Sequence, residues 1–205
     1  MRKIDPVKHE EKRRQILQAA GQCFLSDGFR GASISDICAR ADISPGHLYH
    51  YFDNKEAIVA AMAEMGIEYA TSRIRQIMEA DPDITLSGLM ERLAEDKLRR
   101  SPGPDRMPYQ LFLEILAEAA RNPPMAELIR RHTRSIQKVL ADFLRQSQLR
   151  GHTDPSLHPE EAALVVISIM DGVRLMPLRD PTADVPRMLG VLKTLIDRFL
   201  SPKRS

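Results

Sequence analysis

The sequence is poor in cysteine and in aromatic residues, and it contains no long apolar run. Among 205 residues there are two cysteines, and aromatic residues make up 5% of the chain. Cys23 and Cys38 both lie in apolar, helix-like stretches, which excludes a disulfide or cysteine-based metal framework and favours a reducing compartment. The most apolar segment, AALVVISIM, is far shorter than the ~20 residues that span a bilayer, and Asp171 follows it directly. We therefore expect a cytoplasmic protein that makes no membrane contact.

A large excess of one charge sign is also absent. The chain has 30 basic and 28 acidic side chains, which leave a net charge of +2, so total charge does not indicate a nucleic-acid binder. The distribution is uneven, because basic side chains outnumber acidic ones in the segment that ends at Arg14. This segment, MRKIDPVKHEEKRR, predicts a basic arm at the N-terminus.

Apolar residues recur at spacings of three and four along almost the whole chain, and no segment shows the alternation of a strand. The pattern predicts an all-α fold of about nine helices. A first helix carries apolar residues from Ile16 to Phe24 and stops near Gly28. A second begins at Ser33, which with Asp36 forms a capping-box pattern.

A third, short helix begins at Ser44 as its N-cap, with Pro45 at the first helical position. The fourth is long and begins with Asp53 as N-cap and Glu56 as the third helical residue. Pro-, Gly- and Asp-rich separators delimit the later helices. The fourth and later helices are expected near 54–80, 85–100, 108–121, 124–148, 158–176 and 182–200. A composition shift divides a domain over 1–53 from a larger helical domain over 54–205.

Two helices joined by a turn of three or four residues make a helix-turn-helix, whose second helix enters the major groove of DNA. Here that helix has the sequence PGHLYHYF. Leu48, Tyr51 and Phe52 should pack inward, which leaves the other side chains on the outer face.

The outer face of this helix has the residue types that contact DNA. Gly46 lets a phosphate approach the backbone near the free N–H groups of the helix start. Tyr49 can donate to a phosphate, and His47 and His50 can reach base edges or phosphates. Lys55 adds a positive charge beside them. A metal site is the alternative for the histidines, but no cysteine or carboxylate cluster stands at ligand spacing, so no metal is expected.

The stretch SISDICARADISPGHLYHYFDNKEAI, with RRQILQAAGQCFLSDGFRGAS before it, closely resembles the DNA-binding motif of the tetracycline-repressor (TetR) family of bacterial transcription regulators. The resemblance implies a homodimer that binds a palindromic DNA operator, usually as a repressor. It also implies release of that operator by a small-molecule effector, with no cofactor. The DNA-binding positions that it implies are Ser33, Ser44, Gly46, His47, Tyr49, His50 and Lys55.

One position in the turn departs from the common family pattern. The family often has glycine in a left-handed conformation in the turn, where this chain has Asp42, a residue type that tolerates that conformation. A carboxylate there is expected to weaken nonspecific DNA binding slightly.

The segment YQLFLEILAEAARNPPMAELI is similar to the sixth and seventh helices of the choline-responsive and related branches of the family.

The last two predicted helices carry a wide apolar stripe. Ser168 and Gly172 lie four residues apart and allow close approach of another helix. Pairing of these helices across a two-fold axis would form a four-helix bundle. An intramolecular core is the alternative, and the family resemblance favours the dimer. The predicted interface residues are Val165, Ser168, Ile169, Gly172, Leu189, Leu192, Ile196 and Phe199.

Ten methionines suggest an adaptable apolar interior for an effector. For each candidate, plain core packing is the alternative. Glu114, Asp171 and Arg174 lie on otherwise apolar helical stretches, where they bind a polar ligand group or pair with each other. The predicted effector-binding residues are Met62, Met65, Tyr69, Met90, Leu93, Tyr109, Phe112, Leu113, His132, Ile136, Met170, Asp171 and Arg174.

Two other functions compete with the regulator. An all-α enzyme would need a nucleophile with a base, or a metal cluster, and no recognised catalytic motif is present. The protein is therefore not expected to be an enzyme. A helical small-molecule carrier or interaction protein without DNA binding would leave the basic arm and the His–Tyr face unexplained.

Overall fold

The computed structural model describes residues 5–99 and 109–202, and all regular secondary structure in these two ranges is helical. This confirms the predicted all-α class. The helices are α1 (Pro6–Gly31), α2 (Ile34–Ala41), α3 (Pro45–Leu48), α4 (Lys55–Ala80), α5 (Leu86–Arg99), α6 (Tyr109–Ala119), α7 (Pro123–Leu149), α8 (Pro159–Arg179) and α9 (Val185–Leu200). Residues Arg2 and Lys3 of the predicted basic arm, the separator at 101–106 and the side chain of Tyr109 lie outside the described residues.

Helix α1 breaks at the predicted position but does not end there. Gly28 has φ 71° and ψ 170°, a conformation that is essentially restricted to glycine. After this kink the chain makes another helical turn to Gly31, and the amide of Ala32 donates to the carbonyl of Gly28 at 3.1 Å. The last turn of α1 is therefore a separate, short segment.

The predicted caps of the two short helices are present. Asp36 N–H donates to Ser33 Oγ at 3.1 Å, while Ser33 N–H donates to Asp36 Oδ2 at 2.9 Å, which completes the capping box of α2. Asp42 ends α2 in the left-handed conformation, with φ 50° and ψ 58°. Ser44 Oγ accepts from His47 N–H at 3.2 Å and begins α3.

The predicted N-cap of α4 is off by one residue. Asn54 Oδ1 accepts from Ala57 N–H at 2.8 Å, so Asn54 and not Asp53 satisfies the free amide at the start of the helix. Asp and Asn are equally good caps, and the helix begins at Lys55. With Asn54 as the cap, Ala57 is the third helical residue and supplies the bonded amide.

The chain packs as two compact units. Unit 1 contains the described residues up to Ala70 and those from 109 to Thr133. Its core joins α1, α2 and α3 to parts of α4, α6 and α7. The large side chains buried almost completely in this core are Ile16, Leu17, Phe24, Ile37, Leu48, Ile58, Met62, Leu111, Ile115 and Met125.

Unit 2 contains the described residues from 71 to 99 and from 134 to 202. Its core includes Leu89 of α5, Leu144 of α7, Val166 of α8 and Ile196 of α9. Each fully buried aliphatic side chain contributes roughly 1.5–3 kcal/mol of transfer free energy. The helices of the described ranges are all too short or too polar to cross a membrane.

Candidate nucleic-acid interface

Helix α3 ends at Leu48, earlier than the predicted PGHLYHYF, and the turn after it continues the same two sides, one buried and one exposed. Leu48 is fully buried and Phe52 is 5% exposed, so both anchor the helix to the core of unit 1. His47, Tyr49 and His50 are exposed on the other side, and Tyr49 keeps 52% of its surface. A buried anchor with exposed polar rings is the arrangement that a DNA-reading helix requires.

Gly46 lies in open space at the first turn of α3. A Cβ built on this residue meets no heavy atom within 4 Å, and its φ is not positive. Neither packing nor backbone conformation therefore requires glycine at this position. The predicted approach of a DNA backbone to Gly46 stays a prediction, and the open space is compatible with it.

Tyr51, which was predicted to pack inward, packs partly against the core of unit 1, and its ring also contacts α1. Tyr51 stacks on His9 with ring centroids 4.6 Å apart, and its ring lies 5.6 Å from that of His47. The guanidinium of Arg13 lies 5.7 Å from the centre of the Phe52 ring. No local pattern predicts a contact for His9 here, because only the tertiary fold brings α1 beside α3.

Ser33 is engaged in the capping box of α2. Its hydrogen bonds to the carboxylate of Asp36 lower the pKa of that group below its usual range. The predicted phosphate contact of Ser33 stays a prediction, as does that of Ser44, whose hydroxyl caps α3.

Lys55 holds the turn between α1 and α2. Its Nζ donates to the carbonyls of Phe29 and Ala32, each at 2.8 Å, and lies 4.9 Å from the centre of the Phe29 ring. An ammonium has three donors, and two of them are used here. The predicted phosphate contact of Lys55 stays a prediction that rests on the third donor.

The two cysteines are part of the core and not of a reactive site. Both are free and buried, and burial raises the pKa of each thiol. A thiol with a raised pKa is a poor nucleophile and metal ligand. The described residues contain no group of three or more His, Cys, Asp or Glu side chains placed to hold a metal ion.

The predicted effector-binding residues divide between the two units. Met62 belongs to the core of unit 1 and Met65 packs against it, while the rings of Phe112 and His132 lie 6.1 Å apart. Tyr69 and Leu113 are half-buried in the same unit. Unit 1 thus holds the ring-bearing residues of the predicted set whose side chains are described, together with some of its apolar residues.

The remaining predicted residues belong to unit 2. Met90, Leu93 and Met170 pack against its core, and Ile136 is half-buried. The polar residues Asp171 and Arg174 contact each other one turn apart on α8, with 3.4 Å between Arg174 Nη1 and Asp171 Oδ1.

The predicted dimer residues divide into an exposed group and a buried group. Val165, Leu189 and Phe199 are exposed, as are Ser168 and Gly172. Ile169 packs partly against the core of unit 2. Four further apolar residues of α8 and α9 join the exposed group, namely Leu164, Leu178, Val191 and Leu195.

Leu192 and Ile196 were predicted to lie in the dimer interface, but they are buried within their own unit. They are 5% and 1% exposed in the single chain, because they face the core of their own unit. The apolar stripe of α9 is wide enough to supply both an inner and an outer row, and these two residues belong to the inner one.

Comparison with known families agrees with this geometry. The family described as bacterial regulatory proteins, tetR family, matches residues 16–62. The family described as BetI-type transcriptional repressor, C-terminal, matches residues 88–201. The two matches cover the helix-turn-helix and most of the helical region after it.

Individual relatives and solved structures are similar along most of the chain. The transcriptional regulator UidR of Escherichia coli K12 is 30% identical over 163 residues, which are 78% of this chain and 79% of UidR. BetI of Paraburkholderia phytofirmans is 27% identical over 95% of this chain and 96% of its own. The structure of Salmonella enterica GusR is 27% identical, with a TM-score of 0.72, and the match covers 96% of this chain and 97% of that one.

Proposed function

The chain belongs to the tetR family of bacterial regulatory proteins, and from this premise we propose how it regulates transcription. A homodimer binds a two-fold symmetric DNA operator through α3 and represses the adjacent gene. A small-molecule effector binds the helical region after α4 begins and releases the operator. Because its target is chromosomal DNA, we place this function in the cytoplasm.

The observation that carries this proposal is the exposed side of α3. Gly46 and His47 of α3 and Tyr49 and His50 of the turn after it are all exposed, and within the described ranges no atom lies within 4 Å of a Cβ built on Gly46. Imidazole nitrogens can donate to or accept from base edges in the major groove, whereas a tyrosine hydroxyl can donate to a phosphate. We therefore assign sequence reading to the histidines and orientation on the duplex to Tyr49.

The exposed apolar surface of α8 and α9 supports a homodimer. A second copy that pairs through the same surface makes an isologous contact with a two-fold axis. Two α3 helices related by that axis would need to lie roughly 34–36 Å apart to enter successive major grooves. The operator should then consist of two inverted half-sites.

Effector release requires two states with different DNA affinity. An effector that binds more tightly to the state with lower DNA affinity shifts the population towards that state. Bound DNA then lowers the affinity for the effector by the same factor by which the effector lowers the affinity for DNA. Helix α4 contributes residues to both units, and we propose it as the connection between effector and DNA. We propose that the effector is a small molecule and that residues of the predicted set bind it.

The test is selection of bound duplexes from a random DNA pool, followed by binding of the Gly46→Ala variant to the selected site. Gly46→Ala should fold at least as stably as wild type, because the added Cβ meets no atom of the residues that the structure describes. If a phosphate approaches this backbone, the added methyl should weaken operator binding about tenfold. Affinity measured at two salt concentrations should fall steeply with salt.

Two results would contradict the proposal. Selection that enriches no two-fold symmetric site would exclude operator binding by a dimer. Wild-type affinity of the Gly46→Ala variant would show that DNA does not approach this turn. In the first case the carrier or interaction protein becomes the better interpretation.

A further inference from the structure

The turn between α1 and α2 is held from two sides by charged side chains. Oε2 of Glu114 in α6 accepts a hydrogen bond from the backbone N–H of Phe29, with 2.6 Å between the two heavy atoms. Lys55 of α4 donates to the carbonyls of Phe29 and Ala32. Hydrogen bonds with one charged partner are about twice as strong as neutral ones. One short segment, 28–32, is thus bonded through its N–H side to α6 and through its C=O side to α4.

This segment needs such external bonds because the helix before it is broken. Gly28 has a φ of 71°, so the helical hydrogen bonds of α1 do not continue smoothly through it. A Cβ on Gly28 would lie 2.9 Å from Glu114 Oε2. The glycine therefore provides both the kink and the space in which the carboxylate reaches the next amide.

A second contact joins α6 to the same segment. Glu118, one turn after Glu114, accepts from Arg30 at 2.9 Å and from Arg121 at 3.0 Å. Hydrogen bonds from Arg121 and then from Arg30 lower the pKa of the Glu118 carboxyl. The arginines are well exposed, so this pair adds little on its own. It places a further charged contact between α6 and the segment.

The segment also leads directly into the helix-turn-helix. Ala32 is buried, Ser33 caps α2, and α2 has only eight residues before Asp42 turns the chain towards α3. A change in the position of 28–32 is therefore passed on through short, capped elements. The orientation of α3 depends on where α4 and α6 hold this segment.

We propose that Glu114 is a positioning residue for DNA binding, through which α6 sets the orientation of the helix-turn-helix. This inference rests on the proposed DNA-binding function. Glu114 acts through the amide of Phe29 and needs no contact with DNA. A shift of α6 would then change DNA affinity even if α3 itself were untouched.

The experiment compares three variants in the full-length protein. Glu114→Ala removes the acceptor and should weaken binding to the selected operator about tenfold. Glu114→Gln keeps an oxygen that can accept from Phe29 and should stay within about threefold of wild type. Glu127→Ala is the matched control, since Glu127 is an exposed glutamate of unit 1 that pairs with Arg130 on its own helix; it should bind as wild type does.

A readout without DNA separates this inference from the proposed function. Hydrogen exchange of the Phe29 amide should be slow in wild type and in Glu114→Gln and much faster in Glu114→Ala, with core amides of α1 unchanged. If wild type binds no duplex, the proposed function and the positioning role both fail, while exchange still reports whether the bond exists. If wild type binds and Glu114→Ala binds equally well, or if Glu114→Gln is as weak as Glu114→Ala, the positioning role alone is overturned.

Discussion

Gly28 and Gly151 both have a positive φ, at 71° and 77°, but their surroundings differ. Gly151 follows the end of α7, and its Cβ position is open, so it is needed only for the left-handed turn that closes the helix. At Gly28 an added Cβ would lie 2.9 Å from a carboxylate oxygen of Glu114, which is too close. The first glycine therefore serves both its backbone conformation and a contact with another helix, and the second serves only the backbone.

This difference predicts unequal costs for the same substitution. Gly151→Ala should lower the free energy of unfolding by about 1–2 kcal/mol, the usual cost of a left-handed alanine. Gly28→Ala should cost more than Gly151→Ala, by about 1 kcal/mol or more, because the methyl also displaces Glu114 from Phe29. Urea unfolding of both variants gives the comparison.

The control for this comparison is Gly28→Ala in the background of Glu114→Ala. There the methyl meets no carboxylate, so Gly28→Ala should cost less than it does in the wild-type background, and the part due to its backbone conformation should remain. Equal costs of the two glycine substitutions in the wild-type background would show that the contact with Glu114 does not constrain Gly28.

At the scale of helices, the parts that sequence reasoning predicted correctly are those determined by neighbouring residues. The caps at Ser33 and Ser44 and the left-handed Asp42 depend on side chains within four residues, so the local pattern is sufficient. The cap of α4 was misplaced because Asp53 and Asn54 are adjacent and equally suitable. Local rules cannot choose between them without the exact start of the helix.

The contacts that sequence reasoning missed join residues distant in the chain. Glu114 and Phe29 are 85 residues apart, and His9 reaches Tyr51 from another helix. The inner position of Leu192 and Ile196 was missed for a related reason. A helix with apolar residues on two adjacent faces does not show which face its own core covers.

The capping box of α2 predicts a pH dependence of stability. Hydrogen bonds from Ser33 lower the pKa of Asp36 in the folded state, so the carboxylate contributes stability above its unfolded pKa. That contribution is lost as the pH falls through the lowered, folded pKa. Asp36→Asn should therefore be less stable than wild type near neutral pH, and the difference should shrink on acidification.

Thermal unfolding of both proteins across the acidic range measures this difference. Ser33→Ala provides the control, because it removes the hydrogen bond that Ser33 Oγ donates to the Asp36 carboxylate and keeps the one from Ser33 N–H. In an NMR titration the pKa of Asp36 should then move back towards its ordinary value. An Asp36 titration that is identical in wild type and Ser33→Ala would argue against the capping box as the cause.

At the scale of the whole molecule, α9 has two adjacent apolar rows. Leu192, Ile196 and Leu200 are buried in unit 2, whereas Val191, Leu195 and Phe199 are exposed. Leu164 and Val165 of α8 are exposed as well. Contiguous apolar surface of this kind is unfavourable in water and indicates a site for association. The inner row explains the fold of the single chain, and we propose the outer row as the contact with a second copy.

Leu195→Glu tests whether the outer row forms the homodimer. Leu195 is 48% exposed and lies between Val191 and Phe199 on its row, so a carboxylate there should leave the fold intact and bury two unpaired charges at a two-fold interface. We expect sedimentation to change from dimer to monomer at micromolar concentration, and operator affinity to fall because the two half-sites are no longer bound together. Leu149→Glu, at an 81% exposed leucine that ends α7, should remain dimeric. A Leu195→Glu protein that stays dimeric would place the two-fold contact on another surface and would remove the support that α8 and α9 give to a symmetric operator.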